Sequence, residues 1–124
     1  MIRFSIVTIT FNAADVLRRT VDSVLAQGYP DVEHIIVDGA SSDNTIKVAN
    51  DYKQRSDAAA NGHVVRIKSE PDEGLYDAMN KGLRRAIGDY VLFLNAGDCF
   101  PNKDVLESVA RKIESVSGSS DSMP

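Results

Sequence analysis

The chain has 124 residues, of which 43% are hydrophobic and 26% charged, a composition typical of one globular domain. Its formal net charge of −4 argues against nonspecific binding to nucleic acid or to an anionic membrane, since both need a basic surface. The single cysteine, Cys99, excludes an internal disulfide and a zinc site made of cysteines alone. The first apolar run is too short for a signal peptide or a membrane span. We therefore expect a cytoplasmic protein, with peripheral contact to the inner face of the membrane left open.

Strands and helices alternate along the predicted chain. Runs of apolar and β-branched residues predict four strands, and apolar residues at helical spacing predict a helix after each strand. The predicted strands are 4–11, 34–37, 64–67 and 90–94. The helical stripes span 16–25, 46–52, 75–87 and 105–116. The third stripe, formed by Leu75, Met79, Leu83 and Ile87, is assigned to the core.

This alternation predicts an α/β fold with a mainly parallel sheet and helices on both faces. A doubly wound topology with its switch point at the first strand gives the sheet order 3-2-1-4. No shift in composition marks a second domain. We expect residues 1–117 to form one Rossmann-like unit and the serine-rich segment 118–124 to form a flexible tail.

Polar residues follow every predicted strand. The segments concerned are 10–12, 38–43, 70–74 and 95–98. Ligands of open α/β sheets bind beyond the carboxyl ends of the strands, so these segments predict a binding site. Acidic side chains there suit hydrogen bonds to a base or sugar and oxygen ligation of a hard cation, and helix N-termini attract phosphate. The glycine-rich dinucleotide fingerprint and the P-loop are both absent.

Four segments, in this order, resemble the N-terminal half of an inverting family 2 glycosyltransferase with the GT-A fold. They are Ser5–Asn12, Ile36–Thr45, Asp72–Gly82 and Tyr90–Asp98. The third has the form common in capsule and exopolysaccharide enzymes, and the fourth ends where the family has its Asp-x-Asp metal motif. The resemblance runs from residue 3 to about residue 110.

The resemblance implies a site for a nucleotide-sugar donor, with uracil as the usual base. It implies that Thr10 and Asn12 lie along the nucleotide and that Asp38 hydrogen-bonds the base. It implies that Asp98 ligates Mg²⁺ or Mn²⁺ at the donor diphosphate. The residues implied to lie beside the donor are Tyr76, Asp77, Asn80 and Lys81. Asp43 matches a turn acid, for which we favour helix capping over ligand contact.

Two departures from the family pattern limit these expectations. Asn95 and Gly97 stand where the family has acids before Asp98, so we expect modest metal affinity until a diphosphate supplies further oxygens. The second half of a family domain holds the acceptor site and the Asp that acts as general base. These residues match neither, so no catalytic residue is assigned and this chain alone is expected to be inactive.

The sequence therefore predicts a glycosyltransferase that transfers a sugar with inversion from a nucleotide-diphosphate sugar, with UDP as the expected nucleotide. The expected acceptor is a saccharide or lipid-linked saccharide in surface polysaccharide synthesis. The alternative is a noncatalytic nucleotide-binding module or an inactive fragment. A nucleotidyltransferase would need a glycine-rich basic loop after the first strand, which is absent. We further expect self-association through the fourth strand, whose outer edge would lack a partner.

We predict that the two histidines and the cysteine have structural roles and bind no metal or ligand. His34 and His63 have no partner at metal-ligand spacing and are expected at strand edges or on the surface. Cys99 is expected to be buried, because hard cations avoid thiols.

Overall fold

A computed structural model describes residues 1–121, and the side chains of residues 1–116. Its strands are β1 (Phe4–Thr10), β2 (Val32–Asp38), β3 (Val64–Ser69) and β4 (Tyr90–Phe93). Its helices are α1 (Ala14–Leu25), α2 (Thr45–Ala59), α3 (Leu75–Arg85) and α4 (Val105–Asp121). The predicted alternation is confirmed. Helix α4 continues into the segment that the sequence assigned to a tail, and residues 122–124 of that segment lie outside the described residues.

The four strands form one parallel sheet with the order β3-β2-β1-β4, which confirms the predicted order. Strands β1 and β2 occupy the centre and are buried along almost their whole length. Their nearly continuous apolar sequences fit strands covered on both faces. In the register, Thr10 lies opposite Asp38, and Asp38 lies opposite Ser69. Three strands therefore end at the same level.

Helices cover both faces of the sheet, but unequally. On one face, apolar residues of α1, α2 and α4 pack against the even-numbered residues of β1 and β2. On the other face α3 is the helix that packs against the sheet, with Ala78 against Val7, Ile35 and Val37. Among the described residues, no helix is long and apolar enough to cross a membrane.

The apolar stripe of α3 does not enter the core, so that expectation is wrong. Leu75, Leu83 and Ile87 are 61%, 45% and 61% exposed, and Met79 is half-buried. The buried residues of α3 are Ala78, Lys81 and Gly82. The helix lies so close to β1 that only small side chains fit between them, and its larger apolar residues are therefore left outside.

The isolated histidines are buried, which corrects the expectation of surface positions. His34 is wholly buried, with Nε2 2.8 Å from Oγ1 of Thr8 and Nδ1 2.8 Å from the hydroxyl of Tyr52. Burial lowers the pKa of His34 from 6.5 to about 3. His63 is 7% exposed, and its Nε2 lies 2.8 Å from the carbonyl oxygen of Tyr29. Both rings gain their partners from distant parts of the chain.

Cys99 is exposed, so its predicted burial is wrong. The residue lies in the irregular segment between β4 and α4, and no apolar cluster among the described residues includes it. The next residue, Phe100, packs against the core instead, and the sequence does not show which of the two neighbours is buried.

Candidate functional site

The carboxylate of Asp38 joins the ends of three strands. Its Oδ1 accepts hydrogen bonds from the hydroxyls of Thr10 at 2.7 Å and Ser41 at 2.5 Å. Its Oδ2 accepts from the backbone N–H of Ser41 at 2.8 Å and the hydroxyl of Ser69 at 2.9 Å. Burial opposes ionisation, but the hydrogen bonds from Ser41, Thr10 and Ser69 outweigh it and hold the pKa of Asp38 below its ordinary value.

These four hydrogen bonds fill the acceptor capacity of the Asp38 carboxylate. The side chain is also completely buried. A hydrogen bond from Asp38 to a nucleotide base would have to replace one of the four, so its assignment to the base stays a prediction. In this structure Asp38 and Thr10 position the loops that follow β1, β2 and β3.

Asn12 and Asp43 link the beginnings of α1 and α2. Asn12 adopts a left-handed conformation (φ 48°), and its Oδ1 accepts a hydrogen bond of 2.9 Å from the N–H of Ser42. Asp43 accepts from the N–H of Thr45 at 2.9 Å and from that of Ala14 at 3.3 Å. The hydroxyl and N–H of Thr45 hold the pKa of Asp43 below its ordinary value. Asp43 thus binds the first N–H group of each helix, as a capping side chain would, although the N-cap positions themselves are Ala13 and Asn44 and make no side-chain cap hydrogen bond.

Lys81 and Asp77 hold the loop between β3 and α3. Lys81 is 8% exposed, and its Nζ donates to the carbonyl oxygen of Pro71 at 2.9 Å. The same Nζ lies 3.3 Å from a carboxylate oxygen of Glu70 and of Asp77. Asp77 also accepts a hydrogen bond of 2.9 Å from the N–H of Glu73. Both residues were expected beside the donor, and the structure gives them partners inside the loop instead. A contact to the donor stays a prediction for each.

Three of the residues assigned to the donor are exposed at the same edge. Tyr76 is 81% exposed, and Asn80 and Asp98 are also exposed. Among the described residues, no hydrogen bond reaches their side chains. The backbone N–H of Asp98 donates to the carbonyl oxygen of Asn95 at 2.9 Å, which closes the turn after β4. These three side chains are free to contact a ligand.

The structure offers one metal ligand of the predicted kind. Among the side chains of residues 1–116, no three His, Cys, Asp or Glu lie close enough together to hold an ion. The exposed carboxylate of Asp98 is the hard oxygen ligand that Mg²⁺ and Mn²⁺ prefer. The residues thus fit a partial site, in which a bound diphosphate and water would supply the remaining oxygens.

Sequence reasoning missed two hydroxyls of this site, those of Ser41 and Ser69. Ser41 lies in the turn after β2, and an aspartate that begins such a turn commonly accepts hydrogen bonds from nearby backbone N–H groups, which is the local signal that could have found it. Ser69 comes from β3, and only the strand register shows that it lies opposite Asp38. No local pattern could have revealed that contact.

A parallel α/β sheet with its polar groups gathered at the carboxyl ends of the strands has the ligand-binding edge of an open α/β protein. The sequence model described as "Glycosyl transferase family 2" matches residues 5–119. The chain belongs to this family, and its resemblance to GT-A glycosyltransferases is confirmed. It spans about 40% of the length of the curated relatives it matches.

Named relatives and solved structures extend this comparison. The chain is 41% identical over 103 residues to Bacillus subtilis TuaG, named for teichuronic acid biosynthesis, covering 83% of this chain and 38% of TuaG. The structure of Staphylococcus aureus TarS residues 1–349 with UDP-GlcNAc matches with TM-score 0.77 and 25% identity, covering 91% of this chain and 31% of that one. The mannosyltransferase PcManGT of Pyrobaculum calidifontis, with GDP-Man and Mn²⁺, matches with TM-score 0.73 and 27% identity, covering 85% and 30%.

Proposed function

We propose that this chain binds the nucleotide-diphosphate sugar donor of a family 2 glycosyltransferase, with UDP as the preferred nucleotide. The whole protein transfers the sugar, with inversion, to a saccharide or lipid-linked saccharide acceptor in surface polysaccharide synthesis. The observation that carries the proposal is the network around Asp38, which fixes three strand ends at one level. Membership of the family and the nucleotide sugars in the two similar structures support it.

The proposed donor lies along the carboxyl edge of the sheet. The N-termini of α1 and α2 lie beside this edge, and their first N–H groups bind the carboxylate of Asp43, which orders both helix ends next to the proposed donor. Asp98, in the turn after β4, would hold Mg²⁺ or Mn²⁺, which would neutralise charge on a departing diphosphate. Tyr76 and Asn80 are free to contact the donor. Lys81 and Asp77 hold the loop between β3 and α3, and donor contact stays a prediction for both.

This chain by itself is proposed to bind donor without transferring sugar to an acceptor. No general base is assigned among its residues, and it spans about 40% of the length of its curated relatives. Positioning the attacking hydroxyl accounts for much of the rate of such a reaction, so a donor site without acceptor walls should give little turnover.

UDP together with Mn²⁺ is expected to stabilise the chain against thermal unfolding. A ligand present at 100 times its dissociation constant adds about 2.7 kcal/mol of stability. The measurement is a thermal-shift panel of UDP, GDP, CMP and dTDP, each with and without Mn²⁺. Asp98→Ala should abolish the dependence on Mn²⁺, because it removes the exposed carboxylate at the ligand edge.

The matched control for that panel is Asp57→Ala. Asp57 is an exposed carboxylate near the C-terminal end of α2, far along the helix from the ligand edge, and pairs with Lys53 at 3.4 Å. Its removal should leave the Mn²⁺ dependence intact. If no nucleoside diphosphate shifts the melting temperature of the unmodified chain, the proposed function is wrong.

We also propose that the outer edge of β4 pairs with a second copy of this chain. β4 is the last strand of the sheet, so the backbone groups on its outer side have no partner strand within residues 1–121. Val91 and Phe93 are 36% and 42% exposed, whereas Leu92 and Leu94 pack against the core cluster around Phe4. An apolar edge without proline or charge favours pairing, and a two-fold dimer uses one such edge twice.

Val91→Lys is expected to shift the chain from dimer toward monomer in sedimentation experiments, because charge on the exposed side of an edge strand opposes pairing. The matched control is Val64→Lys. Val64 is 46% exposed on β3, the opposite edge strand, so its replacement should leave the association unchanged. A monomeric unmodified chain at high protein concentration would contradict the proposal.

A further inference from the structure

One face of α1 carries three polar side chains, those of Thr20, Ser23 and Gln27. Their spacing of three and four residues places them on the same side of the helix. Thr20 and Gln27 are 0% and 3% exposed, and Ser23 is half-buried. Polar groups in such positions cost stability unless they are hydrogen-bonded. Each of the three finds partners in the backbone of the segment between β4 and α4, which carries Asp98.

Two of these side chains bind the backbone on either side of Asp98. The N–H of Gly97 donates to Oγ1 of Thr20 at 2.7 Å. The N–H of Phe100 donates to Oγ of Ser23 at 3.1 Å. The proposed metal ligand therefore lies on a short stretch of chain that α1 anchors before and after it.

Thr20 contacts two backbone groups of the turn that contains Asp98. Besides accepting the N–H of Gly97, its Oγ1 lies 3.5 Å from the carbonyl oxygen of Asn95. The same carbonyl oxygen accepts the N–H of Asp98 at 2.9 Å and so closes the turn. Gly97 has a φ of 101°, which L side chains rarely adopt. One buried hydroxyl thus holds the turn at its carbonyl end and at its strained glycine.

A fixed turn matters for Asp98 because little else holds its carboxylate. Asp98 is exposed, and among the described residues no hydrogen bond reaches its side chain. A ligand whose backbone is already ordered loses less conformational freedom on binding. Side chains that orient a metal ligand therefore contribute to metal affinity without touching the metal. Thr20, wholly buried beneath the turn, is placed to act in this way.

We propose, resting on the proposed function above, that Thr20 is a positioning residue for Asp98. Its hydroxyl holds the turn after β4 in the conformation that presents the Asp98 carboxylate to Mn²⁺ or Mg²⁺ at the donor diphosphate. Gln27 binds the same segment further along and supports the fold alone.

The test compares the affinity for Mn²⁺ of the unmodified chain and of Thr20→Val, each saturated with UDP, by electron paramagnetic resonance of the free Mn²⁺. Valine keeps the shape of threonine but cannot accept the N–H of Gly97. The affinity for Mn²⁺ should fall about 10-fold, as it does when other residues that orient metal ligands are replaced. The affinity for UDP without Mn²⁺ should not change, because the lost hydrogen bond lies in the turn after β4. Thr20→Ser keeps the hydroxyl and should restore the affinity for Mn²⁺.

The matched control is Gln27→Met, on the same face of α1. Nε2 of Gln27 donates to the carbonyl oxygen of Asn102 at 2.6 Å, and its Oε1 accepts the N–H of Leu106 at 3.1 Å. The variant loses these hydrogen bonds to the same segment, but at positions beyond the turn of Asp98. It should melt at a lower temperature than the unmodified chain and yet keep its affinity for Mn²⁺.

Gly97→Ala tests the turn without changing the core, and it carries the test if Thr20→Val does not fold. A Cβ at position 97 would lie 3.6 Å from Cβ of Val16, an ordinary contact, so the variant meets no clash. The positive φ disfavours alanine, so the backbone of the turn should shift. The affinity for Mn²⁺ should therefore fall in this variant as well.

Two outcomes would overturn the inference alone. If the unmodified chain binds UDP with Mn²⁺ and Thr20→Val binds Mn²⁺ equally well, Thr20 does not position Asp98. If Gln27→Met loses as much affinity for Mn²⁺ as Thr20→Val, the affinity follows the stability of the whole segment rather than the turn. If the unmodified chain binds no UDP at all, the proposed function fails as well, and that result is distinct from the other two.

Discussion

Acidification below pH 6.5 is expected to destabilise the fold by about 1.4 kcal/mol per pH unit through His34 alone. Its ring is wholly buried between Thr8 and Tyr52, and burial lowers its pKa from 6.5 to about 3. Between these two values the unfolded chain binds a proton that the folded chain does not. Unfolding therefore takes up a proton, and the free energy of unfolding falls as pH falls.

The measurement is denaturant unfolding at several pH values between 7 and 4.5, in the unmodified chain and in His34→Gln. The variant should be less stable at pH 7, because it loses the buried ring, but its stability should depend less on pH. The carboxylates of Asp38, Asp43, Glu70 and Asp77, whose pKa values are lowered, add to the loss of stability at the acid end of this window, and they do so equally in the two proteins, so the difference between the slopes reports His34. Equal slopes in the two proteins would contradict the prediction.

His63 provides the matched control in the same window. Burial also lowers its pKa, opposed by the hydrogen bond to the carbonyl oxygen of Tyr29. His63→Gln should therefore remove a smaller part of the pH dependence than His34→Gln. A larger loss of slope in His63→Gln would show that the more exposed ring controls the acid sensitivity.

The order of strands and helices could be predicted because it depends on local periodicity. β1 and β2 are nearly continuous apolar runs, and such runs fit strands covered on both faces. The gathering of polar residues at one edge could also be predicted, since the residues that follow each strand of a parallel sheet meet at the same edge. Thr10, Asp38 and Asp98 were placed at that edge by this reasoning alone.

The face of α3 that packs against the sheet could not be predicted from its periodicity. Leu75, Leu83 and Ile87 form the stronger apolar stripe, yet Ala78 and Gly82 are the residues that meet β1. The distance between helix and sheet selects small side chains, and that distance is a property of the whole fold. The partial cover of this sheet face leaves the larger residues exposed.

The hydrogen-bond partners of the buried polar side chains also could not be predicted from the sequence. A carboxylate at the end of β2 can be recognised, but its four hydrogen bonds come from residues up to 31 positions away. His34 depends on Thr8 and Tyr52, which are 26 and 18 positions away. Such contacts decide whether a residue binds a ligand or positions a loop, and they exist only once the strands are in register.

Gly82→Ala is expected to destabilise the fold by about 2 kcal/mol. Gly82 is buried in α3, and a Cβ there would overlap Cγ1 of Val7 and lie 3.3 Å from its Cγ2. Alanine would gain about 1 kcal/mol of helix propensity over glycine. Overpacking a core costs about 1–3 kcal/mol, and Val7 is 1% exposed in the central strand β1 and cannot yield, so we expect a cost at the upper end of that range.

Denaturant unfolding measures this loss, and Gly28→Ala is the control, because the nearest atom to a Cβ at Gly28 is 3.8 Å away. Val7→Ala should partly restore the stability of Gly82→Ala, since it removes the methyl groups that the new side chain would strike. Gly82→Ala should also weaken UDP binding, because α3 carries Lys81 and Asp77, which hold the loop between β3 and α3. A Gly82→Ala chain as stable as the unmodified one would show that α3 can move away from β1, and the close contact would then not be what fixes that loop.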